Sequence, residues 1–351
     1  MIIYRYILRE FFASFMFITV ILTTIMFGVS AVTTAQQSPE LGVEFVLMNS
    51  WPLFVIVLPY TLLAGLVIGA TISYGRLASD NEIDAIRVTG IYARQVLRPA
   101  ILLGFALTAL CLQLNLNSVP DAYDQQRLNK KAITIWLLKH PPVGPKDMSL
   151  YDTKFSYLEA RDGTFTQLTL IKIDPQNQQA RTKVFAPEAT IDFKGDAPVL
   201  IMPLATISDY DDKGRKTTEV TVRDYKVPLE VDPYKNYNPR PRYRDWATLA
   251  EAYYTGFPLE TVWKEASLRL WKSLLPIPLA MLGAGLGVLV RRSSKMAGLG
   301  LSIPPLALTY ILITICEGVS TSNLFLTTLI SGAPTILATL AAIVVRFKIK
   351  V

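Results

Sequence analysis

The chain has 351 residues, of which 51% are hydrophobic and 18% charged, with a formal net charge of +7. This balance excludes an ordinary water-soluble domain, because the apolar residues gather in windows of about 20 residues that carry almost no charge, as membrane-spanning helices require. Two cysteines and a single histidine, with no CxxC and no paired His, exclude a disulfide scaffold and a zinc site.

Six apolar windows stand out, at roughly 10–34, 51–74, 99–118, 273–290, 297–316 and 323–345. The first runs too long for a cleavable signal, and no small-residue cleavage site leads out of it. Arg5 and Arg9 precede it, and Arg76, Arg87, Arg94 and Arg98 lie between the second and third windows. Arg291, Arg292 and Lys295 separate the fourth from the fifth, and Arg346, Lys348 and Lys350 follow the sixth. The connection QQSPELGVE after the first window has no Lys or Arg. The positive-inside rule then puts both termini in the cytoplasm and the long segment 119–265 on the outer face. Cys111 and Cys316 fall inside windows and read as small apolar residues.

The connection between the second and third windows reads GRLASDNEIDAIRVTG. Ser79-Asp80-Asn81-Glu82 fits the S-x-x-E capping box, in which the serine accepts from the N–H of residue 82 and the glutamate reaches back to residue 79. Asp80 and Glu82 suit the positive end of a helix dipole, and Gly90 suits the left-handed stop. Ile83 and Ile86 share one narrow face, with Asp84 and Arg87 pointing elsewhere. The pattern predicts about three turns of helix across the mouth of two spans. It serves either as a well-capped interfacial helix or as a coupling helix docked on a separate ATPase.

After Asn117 a helical stretch, DAYDQQRLNKKAITIWLLK, leads to the break PPVGP; His140, just before it, reads as a loop residue. Short alternating runs follow (KFSYLEA, TFTQLTLIKI, ARTKVFA, ATIDF, VLIMPLATI, TEVTVRDYKV), separated by RDG, DPQN, KGD and DDKG. They predict an antiparallel β domain, a small sandwich or jelly roll. One alternating set is Val184 and Ala186, then Ala189, Ile191 and Phe193, then Val199, Ile201 and Ile207. That face either fills its own core or leaves a greasy groove for an acyl chain, with Ile191, Phe193 and Ile201 as contact candidates.

The segment returning to the membrane is rich in Trp and Tyr, as suits a membrane–water interface. Lys264, Arg269 and Lys272 near the fourth window are either headgroup anchors or contacts for an anionic substrate. Gly65 with Gly69, and Gly283 with Gly287, are GxxxG pairs that let helices approach closely.

No GxxxxGK[ST] phosphate loop and no Ser–His–Asp set occurs, so the chain is expected not to be an enzyme and to bind no cofactor or metal of its own. The windows also lack the central charge that ion coupling needs. Glu317, at the end of the fifth, reads as interfacial. Any transport work is therefore expected from elsewhere, through the loop around Glu82.

The stretch GRLASDNEIDAIRVTGIYARQVLRPAI resembles the cytoplasmic loop of the YjgP/YjgQ permeases, LptF and LptG, of the lipopolysaccharide exporter. YRYILREFFASF, LNKKAITIWLLK and the layout of three spans, β domain and three spans are also similar to that family. The resemblance implies a polytopic α-helical inner-membrane protein with six transmembrane helices (1–118 and 266–351) and an inserted periplasmic β-jellyroll-like domain (119–265). It implies a dimeric cytoplasmic ABC ATPase holding ATP and Mg, with Glu82 at the ATPase contact, and a second permease of the family. A periplasmic β-jellyroll bridge and lipopolysaccharide complete the expected partners; no nucleic acid is expected. The family often carries basic residues near the outer end of the first span, whereas VSAVTTAQQ here has none. Two other readings stand beside this one: a membrane-anchored β-domain scaffold, and an ABC permease for a lipoprotein or phospholipid.

Overall fold

The computed structural model describes residues 2–37, 43–141, 144–150, 153–161, 163–173, 180–193, 198–210, 215–229, 240–289, 295–319 and 321–349. Arg291, Arg292, Lys350 and most of the predicted β turns lie outside these residues. The helices are α1 (Ile2–Gln37), α2 (Val43–Ser79), α3 (Glu82–Val88), α4 (Arg98–Gln113), α5 (Val119–Lys139), α6 (Trp246–Leu249), α7 (Glu251–Tyr254), α8 (Leu259–Leu274), α9 (Pro276–Leu289), α10 (Lys295–Gly318) and α11 (Leu324–Lys348). Among the described residues, 6 helical stretches are long and apolar enough to cross a membrane. The fourth is α8 and α9 in series, parted at Pro276, which has no N–H to continue the ladder. The chain forms two compact units, residues 1–126 with 238–351, and residues 127–237.

The helical unit is organised around α2, which packs along α1 on one side and α9 on the other. Small residues make this possible, because lipid supplies no hydrophobic drive between helices. A Cβ on Gly283 or on Gly287 would stand 2.7 Å from the carbonyl oxygen of Val67 or of Thr71, respectively. Gly65 and Gly69 are equally closed, against Thr19 and Phe15 of α1. All four predicted packing glycines therefore sit at helix crossings. Thr71 Oγ1 ties the second seam, donating to Val67 O at 2.8 Å and Gly283 O at 3.2 Å. Between α4 and α5, Leu114–Ser118 winds as a π-helix, which re-aims the side chains of one turn.

The β unit is one antiparallel sheet of β1 (Lys146–Leu150), β2 (Thr153–Tyr157), β3 (Glu159–Arg161), β4 (Thr164–Ile173), β5 (Ala180–Asp192), β6 (Val199–Tyr210) and β7 (Lys216–Pro228). The order β1-β2-β4-β5-β6-β7, with β3 added to β4, is a meander between chain neighbours. The crossing connections of a jelly roll do not occur among the described strands. Its core is densest at β2 and β4, where Phe155, Tyr157 and Phe165 meet edge to face at centroid distances of 5.1–5.9 Å.

The expected apolar face is present on β5, where Val184, Ala186 and Ala189 are buried and Ile191 and Phe193 pack against the core. On β6 the phase differs from the expectation. Leu200 and Met202 are buried, and Ile201 sits on the opposite face, so Ile201 is corrected from a core-face contact to a half-buried outer position. Ile207 returns to the core face. The reason is a coordinated irregularity. No residues are paired across β5 and β6 between Phe185↔Thr206 and Thr190↔Ile201, the stretch that holds Pro187 and Pro203. Neither proline can donate to the ladder, and both strands shift phase by one residue there.

Candidate functional site

Two clusters of polar side chains stand out in the helical unit. The first lies at the α2–α3 connection. Helix α2 continues through Ser79, so that residue ends a helix and does not start one: its Oγ donates back to Arg76 O at 2.9 Å, and Asp80 N bonds the same carbonyl at 2.9 Å. The capping box therefore does not form. The turn into α3 is made by Asn81 at φ 58, a left-handed conformation that asparagine tolerates better than most residues, with no side-chain cap. Helix α3 has 7 residues, two turns where three were expected. At its other end the expectation holds, because Gly90 takes φ +87 and its N–H bonds Arg87 O at 2.9 Å.

Ile83 fills the core beneath α3 with Tyr74, Leu77, Val96 and Leu97, and Ile86 packs against it. Burying one isoleucine contributes about 1.5–3 kcal/mol, enough to seat so short a helix. Asp84 and Arg87 pair along α3 at 3.4 Å. Glu82 Oε1 accepts from Tyr6 OH of α1 at 3.3 Å, and Arg76 of α2 pairs with Glu10 of α1. The first turn of α3 is thereby tied to α1. Val88 is 89% exposed and Tyr92 60%, and Asp80 and Ala85 are exposed beside them. These leave an outward face with apolar and acidic character.

The second cluster gathers around α8. Arg269 is buried at 5% exposure. It donates to Glu265 at 2.9 Å and to the carbonyls of Arg244 at 2.8 Å, Pro241 at 3.0 Å and Arg242 at 3.3 Å. A guanidinium so fully occupied holds the 241–244 turn, which corrects its expected place as a headgroup anchor or substrate contact. Lys272 pairs with the Glu317 carboxylate, Tyr60 OH donates to the same oxygen at 3.4 Å, and Lys264 Nζ donates to Glu317 O at 2.9 Å. Glu317, expected as a simple interfacial residue, is thus the hub joining α2, α8 and α10. Tyr310 OH braces Tyr60 from behind, at 2.5 Å from its carbonyl oxygen.

Tyr60, Lys264, Arg269, Lys272 and Glu317 line a cavity of about 450 Å³ that also takes in Asn115, Tyr123 and Arg242. The π-helical turn carries Asn115, which bonds Ser273 Oγ at 3.0 Å. The Arg242 guanidinium lies 4.4 Å from the Tyr123 ring centroid and donates to its hydroxyl. Sequence reading assigned no role to Tyr6, which lies within the quoted YRYILREFFASF, or to Tyr60, Asn115, Tyr123 and Arg242. In the β unit, Ile191 and Phe193 border the core, and Lys139 stands 5.4 Å over the Phe193 ring.

Six candidate spans, a short helix between the second and the third, and an inserted antiparallel sheet define a multi-pass membrane protein. The chain belongs to the lipopolysaccharide export system permease LptF/LptG family, whose model matches residues 5–348. Permeases of this family are transport subunits and not enzymes. No curated protein matches the chain.

Proposed function

We propose that this chain is the permease subunit of an ATP-driven exporter that takes lipopolysaccharide from the inner membrane and passes it to a periplasmic bridge. A separate dimeric ABC ATPase, holding ATP and Mg, docks on α3, and a second permease of the family completes the pair. The observation that carries the reading is the build of α3: anchored inward by Ile83, tied to α1 through Glu82 and Tyr6, and exposing Val88 outward, with Tyr92 exposed in the connection that follows. A short helix with a fixed base and an unpaired apolar outer face suits a lever for a partner that supplies work.

Arg76, Arg87, Arg94 and Arg98 around this helix support a cytoplasmic setting for it and for both termini, with the β unit periplasmic. On the β unit, β7 ends the strand order, and Val220, Val222, Tyr225 and Val227 continue the core face onto it only partly covered or exposed. Such an edge suits both an acyl chain and the pairing of a bridge strand. Lys264 and Lys272 remain the contacts proposed for lipid phosphate.

The test is affinity purification from native membranes with mass spectrometry of bound proteins and lipids. An ABC ATPase and lipopolysaccharide are expected with the wild type, and the ATPase yield falls for Glu82→Arg and recovers with an Arg→Glu change at the ATPase contact. A β-domain scaffold predicts no ATPase and no effect at Glu82. Another co-purifying amphiphile identifies a permease for a different lipid.

A further inference from the structure

The chain reaches α8 through DWATLAEAYYTGFP at 245–258, which folds as two single helical turns, α6 and α7. Its apolar residues divide into two sets. Leu249 and Ala252 are buried against Val262 of α8, with Phe257 and Ala266 packed around them. Tyr254 is 85% exposed and Tyr253 51%, and Trp246 is exposed as well. The elbow that carries these rings is firmly built. Asp245 accepts from the Thr248 N–H at 2.9 Å, and Arg244 donates to Thr248 O at 3.3 Å and Thr255 Oγ1 at 3.0 Å. Gly256 then turns the chain at φ +101. Helix α8 carries a second exposed apolar set. Leu259, Trp263, Leu270 and Leu274 are exposed at helical spacing, whereas Lys264, Arg269 and Lys272 turn to partners inside the unit. Those charges delay the apolar window to residue 273, yet the outward stripe is apolar from Leu259 onward. Trp263 stands on that stripe and donates its indole N–H to Thr328 Oγ1 of α11 at 2.9 Å. Together α8 and α9 span 31 residues. At 1.5 Å per residue that is at most about 46 Å, longer than a hydrocarbon core and close to a bilayer with both headgroup regions. The first turns of α8, and the elbow packed on them, therefore fall at the level of a headgroup region.

We propose that the α6–α7 elbow is a membrane-surface anchor, with Trp246, Tyr253 and Tyr254 seated in the lipid interface of the leaflet where α8 begins. Rings with an apolar body and a polar tip favour that layer over both water and hydrocarbon. The occupant of this face is bilayer lipid and not a second protein, because the elbow packs on Val262, next to Trp263 of the exposed stripe of a span. Glu251, one turn before Tyr254, pairs with Arg244 at 3.9 Å and keeps a side chain 67% exposed. Such a carboxylate suits the headgroup level and opposes any deeper seat. The anchor holds whichever cargo and ATPase the chain serves. It fixes the chain at the membrane surface before the span begins.

The test uses the full chain in phosphatidylcholine nanodiscs. In a Cys111→Ala/Cys316→Ala background, a nitroxide label is attached in turn at Tyr253→Cys and Tyr254→Cys. Leu270→Cys on the stripe of α8 and Thr218→Cys on exposed β7 serve as references for lipid and water. Electron paramagnetic resonance then reads depth from the label's access to oxygen and to a water-soluble nickel chelate. Both tyrosine positions are expected about 5–10 Å inside the headgroup boundary, shallower than Leu270→Cys. Labels in water at both tyrosine positions, while Leu270→Cys is deep, overturn the proposal. Labels shielded from both oxygen and nickel mean that protein covers the elbow, and overturn it equally. The unsubstituted chain supplies a second arm, in discs whose phosphatidylcholine carries a photoreactive diazirine near the glycerol end of one acyl chain. Adducts mapped by mass spectrometry are expected within 246–258 as well as on α8. Adducts on α8 with none in 246–258 contradict the anchor without any substitution in the chain.

Discussion

Arg76 and Glu10 join α2 to α1 with side chains 39% and 32% exposed, whereas Lys272 and Glu317 join α8 to α10 at 21% and 29%. The chemistry is the same and the surroundings are not. Water screens the first pair, so it contributes little and its charges are available to a partner at small cost. The second pair is set deeper, with a tyrosine hydroxyl on the shared oxygen, and removing either member strands the other. The contrast separates two kinds of polar site in one bundle. One pair is a solvent-screened tie between two helices; the other is a deeper tie whose members depend on each other.

The largest effect is expected at the deeper pair. Lys272→Leu should lower stability in detergent by about 2–4 kcal/mol, less than at a fully dry site because the pair still meets some solvent. Lys272→Leu/Glu317→Leu should recover most of that loss in the same thermal unfolding measurement. A smaller change is expected at Gly90, where an added Cβ has open space and only the backbone conformation at φ +87 opposes it. Gly90→Ala should cost about 1–2 kcal/mol, seen as faster amide exchange confined to α3.

Asp245 offers a pH-dependent comparison outside the spans. Hydrogen bonds from the Thr248 hydroxyl and backbone N–H, the latter at 2.9 Å, hold its carboxyl below the ordinary value. A depressed pKa means the folded state favours the ionised form. The contribution is therefore complete above the unfolded-state pKa and disappears as pH falls through the folded one. Asp245→Ala should cost about 1 kcal/mol at neutral pH and converge with the wild type in acid. The smallest effect belongs to the exposed pair. Glu10→Gln or Arg76→Gln should change stability by no more than about 1 kcal/mol, and added salt should shrink the difference further.

Much of this was legible in the residues. Hydropathy located all six spans, GxxxG spacing located the α1–α2 and α2–α9 crossings, and Gly90 marked the end of α3. The failures have definite causes. Ser79-x-x-Glu82 matches a capping box, but α2 extends through Ser79, whose hydroxyl bonds backward and not forward. The run VLIMPL in β6 is apolar at nearly every position, so alternation could not say whether Ile201 or Met202 faces inward, and two prolines shift the phase nearby. Arg269 looks like any arginine near a membrane boundary. Its burial depends on carbonyls 25 and 28 residues earlier in the chain, a long-range pairing that local pattern cannot disclose. Asn115 enters the cavity wall through a π-helical turn, which has no clear sequence signature.

If work enters the chain through α3, site-specific photo-crosslinking from Val88 in native membranes captures the partner that supplies it. The captured protein, identified by mass spectrometry, is expected to be an ATP-binding subunit, with a lower yield in Glu82→Arg. Capture of no ATPase from Val88, together with efficient capture of one from a position following α9, would contradict it.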